Sequence, residues 1–198
     1  NVIIGVGFIV SGLAIFTPKA VVGGIFYLIH DMVLKALLFL LGGTMIKLAG
    51  TSNLKKISGL IRNNPTLGWM FLIAVLALVG MPPLSGFVGK VLIIQEGFLK
   101  GELHGGFYWL AAMGLISSLM VMYSLLKIFI NGFWGESNLN ISVDRGKINQ
   151  LLLPCSLLTT VCILLGVGAE VLYPYVEQAV NSLLDTQIYI EAVLREVV

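Results

Sequence analysis

Polar and apolar positions along this chain fall into blocks. Apolar segments occupy about 2–16, 21–46, 67–98, 107–130 and 150–172, separated by short polar stretches. A helix needs ~20 apolar residues to cross a bilayer, and most of these segments reach that length. Backbone groups in lipid must find partners within their own segment, so each is expected to be helical. The fold class this predicts is all-α: a polytopic membrane helix bundle of about five transmembrane helices over 1–173. The first segment is short for a full span.

Two departures from the simple pattern stand out. Segment 67–98 is too long for one straight span, and Pro82 and Pro83 lie within it, flanked by Gly80, Ser85, Gly86 and Gly89. Adjacent prolines remove amide donors and interrupt a helix, so a broken helix is expected there. After Pro174, Val176, Val180, Leu183 and Leu184 recur at helical spacing with Glu177, Gln178 and Asp185 between them. This predicts an amphipathic tail, 174–198, lying at the interface or docked on a neighbour.

Composition supports the membrane reading. Hydrophobic residues make up 58% and charged residues only 11%, against roughly 25% charged in a soluble domain. The formal charge of +2 comes without a basic run, which argues against a nucleic-acid partner. Cys155 and Cys162 share one apolar segment. They would stand about two turns apart on a helix, beyond disulfide reach. No metal-ligand spacing, nucleotide motif or haem motif is present, so no cofactor is expected. The chain opens on Asn1 within an apolar run, and the reading is that it belongs to a longer protein. Lys47, Lys55, Lys56, Arg62, Arg145 and Lys147 gather in loops 47–66 and 131–149, whereas Lys19 and Lys100 fall on the opposite side and Arg195 lies in the tail. The positive-inside rule then makes the first pair of loops cytoplasmic.

Ionisable residues inside the spans are the candidate chemistry. They are His30, Asp31 and Lys35 in the second segment and Lys90 in the third. A charge at the bilayer centre costs ~2.5–3.5 kcal/mol on insertion scales, so such residues default to functional candidates. Asp31 and Lys35 stand one helical turn apart and can pair on one face. His30 points about 100° away from Asp31, so its partner belongs on another helix. Neutral imidazole can both donate and accept a proton near neutral pH. Lys90 follows the Pro82–Pro83 break by about two turns. Broken helices at membrane depth line cavities and flank ion sites in transporters. Ser85 could serve the carbonyls freed by the break or hold water. Glu96 and Lys127 lie near span ends, where they can anchor the interface. Ser117, Ser118 and Tyr123 could line a wet path, and His104 belongs to a solvated loop. The bland alternative is a membrane scaffold whose charges only hold helices together.

The run Gly80-Met81-Pro82-Pro83-Leu84-Ser85-Gly86-Phe87-Val88-Gly89-Lys90 resembles the broken-helix signature of the antiporter-like family. That family is shared by Mrp-type multisubunit cation/proton antiporters and the proton-pumping membrane arm of respiratory complex I. Tyr27 to Phe39, with His30 and Lys35, looks like the helix that precedes the break in that family. The resemblance implies the C-terminal part of a subunit of about fourteen helices built on inverted repeats. It also implies a proton path in which Lys90 is the axis lysine, with His30 and Lys35 linking to it. Asp31 stands where the family often has a second histidine, so it could be a local counter-ion. The resemblance further implies protons and sodium as the transported ions and other antiporter subunits as partners. The location it implies is a bacterial plasma membrane. A complex I-like proton-pumping subunit of a quinone oxidoreductase is the alternative.

Overall fold

The computed structural model describes residues 2–54, 57–135, 145–185 and 190. Lys55, Lys56 and Arg195 lie outside the described residues, as do the side chains of Arg145 and Lys147 and, of the expected tail 174–198, residues 186–189 and 191–198. The described residues contain helices and no strand: α1 (Val2–Ile15), α2 (Pro18–Ala49), α3 (Leu60–Asn63), α4 (Pro65–Val79), α5 (Gly86–Gly101), α6 (Gly106–Phe133), α7 (Arg145–Val167) and α8 (Ala169–Leu184). Among them α2, α6 and the Gln150–Val167 part of α7 are long and apolar enough to cross a membrane, while α1 and α4 are shorter apolar helices. The segment expected as one interrupted span, 67–98, is divided between α4 and α5.

Helix α2 organises the bundle. Its 32 residues extend ~48 Å at 1.5 Å per residue, longer than the ~30 Å hydrocarbon core. Thr17 starts it by accepting the Ala20 amide at its hydroxyl, 3.2 Å, with Pro18 as the first helical residue. One half of α2 (Leu34, Leu37, Leu41, Met45, Leu48) packs on Phe71, Val75, Leu125, Phe129, Phe133 and the two cysteines. The other half meets Val176 and Val180 of α8, and a third cluster joins Phe8, Ile15, Ala20, Tyr27 and Ile93. The outer face of α6 remains apolar and exposed at Met113, Ile116 and Met120.

Helices α7 and α8 run along α2 in the opposite direction. Cys155 lies beside Thr44, and Tyr173 stacks on Phe26 with ring centroids 6.2 Å apart. Helix α8 begins at Ala169, ahead of Pro174, which lies inside it. Val176 and Val180 face the bundle, but Leu183 is exposed. It sits three residues after Val180, whereas Val176 and Val180 follow the i, i+4 row that touches α2.

The two ends of the bundle are distinct. At one, the Gly59 amide donates to Trp134 O at 3.2 Å, so the loop after α2 meets the loop after α6. At the other, the tight Phe16–Thr17 turn lies against α5, and Lys100 Nζ donates to Ile15 O.

Candidate functional site

The site grows from the way α4 ends. Gly80 takes φ +89°, a left-handed conformation that glycine adopts without strain and that commonly ends helices. A helix leaves its last four carbonyls without amide partners. Here Leu76 O accepts the amides of Gly80 and Met81, and Ala77 O accepts Gly80. The other two, Leu78 O and Val79 O, accept Lys90 Nζ at 2.7 and 3.0 Å. The lysine of the second half-helix thus closes the end of the first. A cation at a helix C-terminus is also favoured by the macrodipole.

Ser118 Oγ of α6 accepts the third Lys90 bond at 3.0 Å. An ammonium has three donors, and all three are used. The Phe8 ring lies 5.0 Å and the Tyr27 ring 5.8 Å from Nζ, within cation–π range. Lys90 is 6% exposed, so it is enclosed and does not reach for an interface. Its three acceptors are neutral, two carbonyls and a hydroxyl.

Ser85 serves a different partner from the one the sequence suggested. Its hydroxyl meets His30 Nδ1 at 2.7 Å and donates to Cys162 Sγ at 3.7 Å. The freed carbonyls already have Lys90. With Ser85 donating to the sulfur, the imidazole Nδ1–H donates to Ser85, and Nε2 is then the lone-pair acceptor. Nε2 has no hydrogen-bond partner among the described residues. It faces Gly86, where an added Cβ would fall 2.8 Å from it and 2.2 Å from Ala77 O. Only a residue without a side chain allows this approach. His30 is 1% exposed, and its partner lies away from α2, at the start of α5.

Asp31 and Lys35 pair through Oδ2 and Nζ along α2. Asp31 is buried, while the Lys35 side chain is 25% exposed. Both line a cavity of about 400 Å³ that continues to Ser52 and Leu54. Asp31 Oδ1 has no hydrogen-bond partner among the described residues and lies against Gly5 of α1, where an added Cβ would be 2.5 Å away. The structure therefore gathers Lys90, His30, Ser85 and Gly86 around the Pro82–Pro83 break. Asp31 and Lys35 adjoin them on the next turns of α2.

Sequence reasoning missed Glu96. Far from anchoring an interface, it is 8% exposed and accepts the Thr17 hydroxyl at 2.7 Å. The partners are 79 residues apart in sequence, and only the packing of α5 on the α1–α2 turn joins them. Lys127 is exposed, with its ammonium 5.8 Å from the Tyr123 ring, and His104 is exposed in its loop.

An interrupted helix carrying an enclosed lysine, set beside a buried histidine in an apolar bundle, defines a class by its fold: polytopic helical membrane proteins that hold ionisable groups inside the bundle. The chain belongs to the family described as NADH:quinone oxidoreductase/Mrp antiporter, TM, which residues 3–121 match. It is 46% identical over 196 residues to the D-type subunit of the Na(+)/H(+) antiporter of Bacillus subtilis, covering 99% of this chain and 39% of that protein. To the D-type Na(+)/H(+) antiporter subunit of Alkalihalophilus pseudofirmus it is 41% identical, with the same coverage. Its fold is similar to a chain in the structure of the Mrp complex from Dietzia sp. DQ12-45-1b, with a TM-score of 0.81 and 28% identity over 96% of this chain and 42% of that one. Respiratory complex I from Thermus thermophilus contains a chain with a TM-score of 0.73 at 28% identity, covering 89% of this chain and 37% of that one. The chain thus spans about two-fifths of the length of the curated relatives it matches.

Proposed function

We propose that this chain is the C-terminal part of a proton-translocating subunit of an Mrp-type Na⁺/H⁺ antiporter, acting with partner subunits in a bacterial plasma membrane. It is a transporter component and not an enzyme. Lys90, His30, Lys35 and Asp31 form its section of the proton path, and Pro82, Pro83, Ser85 and Gly86 shape the break that holds them. The observation that carries this reading is the enclosure of Lys90. Its ammonium sits among two carbonyls and a hydroxyl, so losing its proton strands no directly paired anion. His30 Nε2, which has no hydrogen-bond partner among the described residues, offers a lone pair to a proton. The names of the relatives favour sodium as the exchanged cation, with neighbouring antiporter subunits as partners.

The shared family and the complex I neighbour sustain a second reading, a redox-driven proton-pumping subunit. The two part on the driver: proton movement requires sodium in one and a quinone reductase module in the other. Lys90→Ala in the full-length protein, within its assembled complex, tests what they share. Loss of ion-driven proton flux with normal assembly is expected. Wild-type flux would leave a scaffold whose charges only join helices.

A further inference from the structure

Outside the group around the break, the buried carboxylate of Glu96 has no part in the path just described. Glu96 lies six residues after Lys90 on α5, about 9 Å further along the helix axis. It is turned to the Thr17 end of the bundle. Thr17 ties it to the first turn of α2, donating its hydroxyl to Glu96 while accepting the Ala20 amide. The N-terminus of a helix favours an anion. No ion pair joins Glu96 to a nearby cation among the described residues. Lys100, one turn later in α5, donates to Ile15 O and lies 5.1 Å from the Phe107 ring, and Lys19 is exposed in the first turn of α2.

Between Lys90 and Glu96 the direct route is closed by Phe8, Ile15, Ala20, Tyr27 and Ile93, which form an apolar cluster. A cavity of about 220 Å³ passes beside that plug, lined by Phe8, Ser11, Ile93, Ile94, Ala111 and Ser117 among others. Neither Lys90 nor Glu96 lines it; Ser117, which does, precedes Ser118, the residue that holds Lys90. Ala111, at the other end, meets Gly97, where an added Cβ would lie 3.3 Å from it. The space is well above the ~10–15 Å³ that one water needs. Ser11 and Ser117 donate to Gly7 O and Gly114 O, leaving their oxygen lone pairs to accept from water.

The geometry points to Glu96 as a proton-carrying site on the Thr17 side of Lys90, reached through this cavity. In the step, the Lys90 N–H bond that points to Ser118 Oγ breaks as an O–H forms there, and the hydroxyl's original proton passes on to water. O–H bonds then form and break along the water file until an O–H forms on the Glu96 carboxylate. Lys90 is left as a neutral amine and Glu96 as a neutral acid. Release to the aqueous phase at the α1–α2 turn restores the carboxylate. This inference rests on the reading of Lys90 as a proton carrier.

Glu96→Gln keeps an oxygen to accept Thr17 but cannot carry a proton, so it separates a structural role from a transport role. In the full-length protein, assembled with its partners in vesicles under an imposed sodium gradient, E96Q is expected to lower proton flux about a hundredfold, the scale of a lost proton-transfer group. Complex yield should hold, and Glu96→Asp should restore most of the flux. Wild-type flux in E96Q, with K90A inactive, overturns the inference and leaves the proposed function standing. Wild-type flux in K90A as well removes both. If E96Q does not assemble, Ser117→Leu decides, since the cavity itself can hold the added side chain. Loss of flux supports the route, and wild-type flux overturns it.

Discussion

Lys90 and Lys35 are the same residue in the same bundle, yet their surroundings differ in kind. Lys90 lies on a half-helix behind a break, enclosed by neutral acceptors. Lys35 lies on the unbroken α2, partly exposed to a large cavity and paired with the carboxylate one turn before it. Deprotonating Lys35 would leave Asp31 as a lone buried anion, which is costly. Deprotonating Lys90 strands no such partner. Interrupting the helix is what makes the difference, because an unbroken helix has no free carbonyls at mid-length to receive an ammonium.

The contrast between the two lysines is tested most severely by Lys90→Ala set against Lys35→Ala. K90A should abolish proton flux and also lower the thermal stability of the complex. It leaves two buried carbonyls without partners, at about 1–3 kcal/mol each. K35A should retain more stability, because its ammonium is partly exposed. Equal losses of stability would remove the distinction.

Gly86→Ala comes next. Its new methyl group would meet Ala77 O and the His30 ring, so the break cannot keep its shape. Flux and His30 placement should both fail, which a transport assay together with the histidine NMR signals would detect. Normal values of both would show that the close approach is not needed.

The Asp31–Lys35 pair gives a smaller effect. Asp31→Asn alone leaves a partly buried cation unpaired. The double replacement Asp31→Asn with Lys35→Met should be closer to wild type in thermal stability than K35M alone, since it removes both charges together. A double variant worse than either single one would contradict a self-contained pair.

The mildest change is expected from Ser85→Ala. It removes one hydroxyl and leaves His30 Nδ1 without its partner, a loss of about 1–3 kcal/mol. Thermal unfolding should detect it, with transport reduced but not abolished. Transport as low as in K90A would place Ser85 on the path itself.

Much of the architecture was legible because lipid imposes it. Apolar runs had to be helices, and Pro82–Pro83 had to interrupt one. The i, i+4 spacing of Asp31 and Lys35 also led directly to the ion pair. Partners across helices were legible only as a requirement: His30 needed a group on another helix, but nothing local named Ser85. That Lys90 caps α4 was hidden because it depends on how the chain folds back after two prolines. Ser118 and Thr17 were hidden for a related reason. A hydroxyl on a helix can bond a carbonyl in its own preceding turn, as Ser11 and Ser117 do here, and nothing in the sequence separates those from the two that reach a charged side chain. Glu96 looked like an interface anchor because it sits near the end of its segment, yet the α1–α2 turn covers that end.

Lys90 caps α4, and in the proposed function it also exchanges its proton. Lys90→Arg separates the two roles, because a guanidinium can still donate to Leu78 O and Val79 O but does not deprotonate in proteins. Ion-driven proton flux through the assembled complex carrying K90R therefore decides whether proton exchange is needed. A normally assembled complex with no flux is the expected result. Flux at the wild-type level would mean that Lys90 only holds the break in place.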